Sequence, residues 1–191
     1  MFASKTLSLL LMASLAVVGT VQAGDVTPPE VPAGLEAPEG NQAVRIAHAL
    51  GTQNYICLSA GSAWTFIGPQ ATLFDDEADQ TMTHFLSPNP VENGLARATW
   101  QSSKDTSAVW AMAIASSTDP AYVTPGAIPW LLLKVVGAQA GPDNGSKIAT
   151  TTFIQRVNTA GGSAPAGTCP SAGARAFVPY ETDYVFYKAQ Q

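Results

Sequence analysis

The sequence predicts an all-β domain, an antiparallel sandwich or barrel that carries one disulfide and is preceded by a Pro-rich arm. Three observations support this. Short runs of strand character recur along residues 42–191, Gly, Pro and Asn punctuate them, and no segment offers a long amphipathic helix. An even pair of cysteines, Cys57 and Cys169, is most simply a disulfide in an exported chain. Neither has a second Cys or a His at metal-ligand spacing, and the long loop the bridge would close is worth about 4–5 kcal/mol on chain-entropy grounds.

Export is read from the start of the chain. Lys5 precedes an uncharged apolar run from Thr6 to Val21, which ends on the small-x-small triplet Val21-Gln22-Ala23. Residues 1–23 therefore read as a signal peptide and not as structure. The run falls short of the ~20 apolar residues that a span needs, and no second run approaches that length. A secreted or periplasmic protein without a membrane span is expected. Residues 24–41 follow as an extended arm, because Asp25 to Gly40 holds four prolines and three glutamates.

The β domain begins at residue 42. Val44–His48, Asn54–Leu58 and Ala63–Ile67 alternate, with Gly51, Gly61, Gly68 and Pro69 among them. Thr81–Leu86 and Leu95–Gln101 flank a turn-rich stretch containing Ser87-Pro88-Asn89-Pro90 and Asn93-Gly94. Val109–Ser116 sets Trp110, Met112 and Ile114 against Ala111, Ala113 and Ala115, which puts the large side chains on one face and Trp110 in the core. Ile128–Val136 is apolar throughout except Lys134, as a strand covered on both faces is, and Trp130 belongs to that core. Asn144-Gly145 predicts a hairpin into Ile148–Val157. Residues 159–173 read as a loop carrying Cys169, and Thr182–Tyr187 as a closing strand.

Charge excludes one class of partner. Nine Lys and Arg stand against 14 Asp and Glu, a net charge of −5, with no basic cluster. Nucleic-acid binding lacks its main driving force in such a chain.

Gln53-x-Tyr55-x-Cys57, Trp64-x-Phe66, Ala71-x-Leu73 and His84 form an ordered set of motifs. It continues through Ile128-Pro129-Trp130-Leu131-Leu132 and Ile154-Gln155-Arg156-Val157-Asn158-Thr159-x-Gly161-Gly162-x-Ala164-Pro165 to Cys169 and Pro179-Tyr180-x-x-Asp183-Tyr184-x-Phe186-Tyr187. Together these resemble an exported family catalogued as a domain of unknown function, number 3455. The resemblance places both cysteines in family motifs and implies no activity. Some members carry a malate dehydrogenase label, yet this chain has neither a Gly-x-Gly-x-x-Gly turn nor alternating strands and helices to hold a dinucleotide.

Candidate chemistry is sparse. His84 follows the acidic turn Asp75-Asp76-Glu77-Ala78-Asp79 and reads as a strand histidine beside solvated carboxylates, with a general base as the sharper alternative. Asp75, Glu77 and Asp79 are weak metal candidates, since Gln80 and Leu86 occupy the positions where a calcium loop needs Gly and Glu. Arg156 and Asp183 are the charges most deeply set in strand patterns and suggest an ion pair. With His84 and Tyr180 they make a candidate pocket. Trp100, followed by Gln101-Ser102-Ser103, is the ring expected at the surface as a platform for sugars. Asn144-Gly145-Ser146 matches a glycosylation acceptor. No catalytic residue and no cofactor is assigned. The expectation is a non-enzymatic binding or structural module for a cell-surface, matrix or envelope glycan, and the alternative is a hydrolase using carboxylates or His84.

Overall fold

The computed structural model describes residues 26–190; the segment 1–23, expected as a signal peptide, lies outside them. Among the described residues eight antiparallel strands run β1 Asn41–Ile56, β2 Thr65–Phe74, β3 Gln80–Asn89, β4 Leu95–Ser102, β5 Ala108–Ser117, β6 Trp130–Gln139, β7 Phe153–Gly161 and β8 Arg175–Ala189. Each pairs with the next, and β8 returns to β1, so the sheet is a closed up-and-down barrel and not a sandwich. Closure removes every sheet edge. Its seam is long, running from Asn41↔Ala189 to Ile56↔Arg175. No helix among the described residues is long and apolar enough to cross a membrane.

Two features of β1 follow from this geometry. The two runs expected as separate strands are one strand of 16 residues, carried straight through Gly51. A Cβ at Gly51 would collide with the Gln70 carbonyl oxygen and the Ala71 backbone, so only glycine lets β1 and β2 approach there. The Asn144-Gly145 hairpin is not tight. Residues 140–152 form a longer loop between β6 and β7, and its Ile148, 3% exposed, is buried among the barrel's interior residues. Asn144 is exposed in that loop.

The interior is filled unevenly. Ala47, Ala49, Ala71, Leu73, Met82, Val109, Ile148, Ile154 and Phe186 plug the end that carries the β2–β3, β4–β5 and β6–β7 connections. On β5 Ala111 and Ala113 face inward while Met112 and Ile114 are exposed, the reverse of the expected core face, and beyond a bulge Ala115 packs on the outer face. The reason is space: rings from neighbouring strands already occupy the interior, so β5 contributes small residues. Trp110 is buried on the outer face, where its Nε1–H donates to Ser87 Oγ at 2.8 Å.

Trp130 also packs outside the barrel, with Leu132, Val157, Val185 and Tyr187. The arm, residues 26–40, covers this stripe through Leu35, Val31 and Val26. Gln155 Nε2 donates to the Leu35 carbonyl at 2.6 Å and so ties the arm to β7. This explains the nearly continuous apolar run of β6, whose Leu131 and Leu133 face in while Trp130 and Leu132 face the arm.

The disulfide joins Cys57, just after β1, to Cys169, in the β7–β8 loop. Backbone bonds reinforce it: Cys57 N–H donates to the Ala174 carbonyl and Cys169 N–H to that of Ser62, both at 2.8 Å. The bridge thus staples the seam at the end opposite the plug.

Candidate functional site

A cavity of about 310 Å³ occupies that stapled half of the barrel. Its walls include Ala98, Ala111, Ala113, Leu131 and Leu133, and its polar lining is Gln53, His84, Arg97, Trp100, Arg156 and Tyr184. At the mouth stand Phe66, Leu86 and Met112, all partly exposed. The inner lining residues sit on inward registers of their strands, whereas Arg97 and Met112 lie on the alternate register. On β1, Ala47, Ala49 and Gly51 precede Gln53 at alternate positions, and on β7 Ile154 precedes Arg156.

His84 is a strand residue as expected, but it lies deep in this half, 3% exposed, and not partly exposed beside the acidic turn. Its ring stacks on Trp100 with centroids 4.1 Å apart, and Tyr184 meets it edge-on at 5.2 Å. Nδ1–H donates to the Thr99 carbonyl at 2.9 Å, which fixes the tautomer and leaves Nε2 unprotonated. Burial holds the imidazole down to about 3, against the pull of the Thr99 carbonyl, and the charge of Arg156 adds to the depression. Such a group is too weak a base for general-base work near neutral pH.

Arg156 is the cavity's cation. Its Nε–H and Nη2–H both donate to the Pro129 carbonyl, at 3.1 and 2.8 Å, which holds the guanidinium in place, and the fork also comes within reach of the Tyr184 hydroxyl. The ion pairs among the described residues are His48–Asp76, His48–Asp183 and Glu92–Arg97, and Arg156 belongs to none. No carboxylate lines the cavity. Tyr180 and Tyr184 are both raised above the usual phenol range by burial, the Arg156 charge only partly opposing this, so they stay neutral.

The expected pocket is therefore assembled in part. His84, Arg156 and Tyr180 face the interior, but Asp183 does not pair with Arg156. It lies across the ladder from Val157, on the outer face, because successive strand residues point to opposite sides. There Asp183 Oδ1 meets His48 Nδ1 at 2.7 Å, its Oδ2 accepts from Asn158 Nδ2 at 2.8 Å, and Asp76 Oδ1 meets His48 Nε2 at 2.9 Å. This external cluster has no adjacent sequence signature, since its members come from four separate segments.

Trp100 is also corrected. It is 1% exposed, inside the barrel, so it is not a surface platform for sugars. The polar residues after it end β4 and turn the chain; they do not mark its own face. Asp75 is engaged by its own turn, its Oδ1 accepting from Asp79 N–H at 2.8 Å. Among the described residues no His, Cys, Asp or Glu group is arranged to hold a metal, Asp75, Glu77 and Asp79 included.

Gln53 is not among the site residues expected from the sequence, although a polar residue continuing an inward register of Ala, Ala and Gly is a legible signal. It is 3% exposed, and its Nε2 is sealed without a hydrogen-bond partner. Trp100 Nε1 shares that condition inside the barrel, as does Trp130 Nε1 on the outer face beside Tyr122.

No curated protein and no solved structure is matched by this sequence. The family of proteins of unknown function DUF3455 matches over residues 38–188, which takes in every barrel strand save the last residue of β8 and nothing of the arm before Pro38. A match of that extent settles membership: the chain belongs to the DUF3455 family.

Proposed function

We propose that this protein is an exported, non-enzymatic binding module that takes a small molecule into the open half of its barrel. The observation that carries this is the cavity itself. Protein interiors pack as densely as organic crystals, and an eight-stranded barrel has room either to fill with side chains or to hold one small ligand. One half of this barrel is plugged by apolar side chains, while the other retains about 310 Å³ behind alanines at 98, 111 and 113. That volume falls at the small end of ligand pockets, roughly 300–1,000 Å³.

The same lining argues against the hydrolase alternative. Paired carboxylates have no members in the cavity, and His84 is a poor base. The two cysteines, bridged at the seam, suit a secreted or periplasmic setting.

A thermal-shift panel of small amphipathic molecules against the oxidised mature protein tests the proposal. A ligand at 100 times its Kd adds about 2.7 kcal/mol, a shift of several degrees. Ala98→Phe, which fills the cavity, should abolish that shift. Shifts that survive Ala98→Phe would move the site elsewhere, and silence across the panel would overturn a binding role.

A further inference from the structure

We propose that the ligand of this cavity is a small monocarboxylate, its carboxylate received by Arg156 and Gln53 and its apolar body lying along Ala98, Ala111, Ala113 and Leu131. The inference rests on the binding role proposed above and narrows it to one chemical class.

Charge makes the first argument. A guanidinium stays protonated at any physiological pH, and this one has no carboxylate partner among the described residues. Its titratable neighbours His84, Tyr180 and Tyr184 are neutral and the other lining arginine, Arg97, is paired with Glu92, so the cavity carries one positive charge that no carboxylate balances. A monoanion cancels it, whereas a dianion such as a phosphate monoester would bring an excess negative charge into an apolar chamber.

Geometry makes the second. Pro129 takes the Nε–Nη2 edge of Arg156 and fixes the plane of the fork, whose one other neighbour within hydrogen-bond reach among the described residues is the neutral Tyr184 hydroxyl. Carboxylate oxygens are the natural acceptors for parallel N–H groups of that kind. Gln53 is the second donor. Its amide is buried, with Nε2 lacking a well-formed hydrogen bond and the Tyr180 hydroxyl as its near neighbour. A half-turn of the amide gives the Tyr180 hydroxyl an acceptor in Oε1 and turns both N–H groups toward the cavity. The lining then offers donors in excess of acceptors, which suits an anion and disfavours a sugar, whose own hydroxyl donors would find little to bond.

Size and surface make the third. The walls are alanine and leucine, and the rim is Phe66, Leu86 and Met112. An aryl-substituted or medium-chain acid fits such a chamber, with the tail end toward the rim.

Isothermal titration calorimetry on the oxidised mature protein decides the matter, with octanoate and hydrocinnamate as probes and their amides as neutral isosteres. The acids should bind at least about tenfold more tightly than the amides, and Arg156→Gln should weaken the acids by about 10- to 100-fold while leaving the amides unchanged. Gln53→Leu should weaken the acids by a smaller factor. If Arg156→Gln does not fold, Gln53→Leu and the acid–amide comparison still decide. Equal binding of acids and amides, both lost in Ala98→Phe, would overturn the carboxylate inference and leave the binding role standing. Failure of both acids while another molecule binds in the cavity would do the same. Failure of every molecule would overturn the binding role, and this inference with it.

Discussion

His48 and His84 depart in opposite directions from the same ordinary value of 6.5, because one is on the outside of the barrel between carboxylates and the other is inside it among rings. Hydrogen bonds to Asp76 and then Asp183 raise His48, burial opposing only weakly, so its imidazolium donates to both carboxylates. Its stabilising contribution is complete below pH 6.5 and lost as pH rises through the higher folded value. Being well exposed, it contributes little. His84 works the other way. The unfolded chain takes up a proton near pH 6.5 that the folded chain refuses until about 3, so stability is lost as pH falls across that window. Two measurements check this. In a proton NMR titration one imidazole should inflect above 6.5 and the other stay flat down to the acid limit of folding. In urea unfolding, His84→Gln, which keeps a donor for the Thr99 carbonyl but does not titrate there, should flatten the loss of stability between about pH 6.5 and pH 3. An acid slope unchanged by His84→Gln would mean that the ring is already charged in the fold.

The strands themselves were largely legible in the sequence, and the way they face was not. Alternation places a side chain on one of two faces, but only closure decides which face is inside. On β5 the large residues proved external because Trp100, His84 and Tyr184 enter from other strands, a fact no local window contains. The same limit separated Arg156 from Asp183: both sit in apolar patterns, yet their registers point to opposite sides of the sheet. The arm shows the converse. Its prolines announced extended chain, and the continuous apolar run of β6 announced a strand covered twice, but nothing local said that the one covers the other. That contact is testable at the scale of the element. Leu35 is 2% exposed beneath the arm's turn and packs on the outer stripe of β6, β7 and β8. Leu35→Ala should cost about 2–4 kcal/mol in urea unfolding, by lost burial and a cavity that the proline-rich backbone is too stiff to close. A cost below about 0.5 kcal/mol would mean that the arm rests on the barrel without stabilising it.

At the scale of the molecule, one barrel joins two unlike halves. The plugged half holds the contiguous apolar core, while the stapled half gives up packing to keep a chamber and a lone cation. Stability and the proposed binding are thus divided along the barrel axis, and the seam between β1 and β8 runs through both. Gln53 and Tyr180 lie on opposite sides of that seam, close to the disulfide end, where Gly51 pairs with Tyr180 and Gln53 with Val178. A bridge closing 112 residues contributes about 4–5 kcal/mol by restricting the unfolded chain. It also prevents the first and last strands from parting where the chamber is built. Two consequences follow for Cys57→Ser/Cys169→Ser. Global stability should fall by up to that amount in denaturant titration. In hydrogen exchange at native pH, amides of residues 52–56 and 175–179 should lose protection beyond the global drop, while those of residues 43–47 and 184–188, held against the plug and the arm, should follow the global drop alone. A uniform loss along the whole seam would show that the bridge acts only on the unfolded chain. A loss confined to the stapled end would show that it also holds the chamber's walls together.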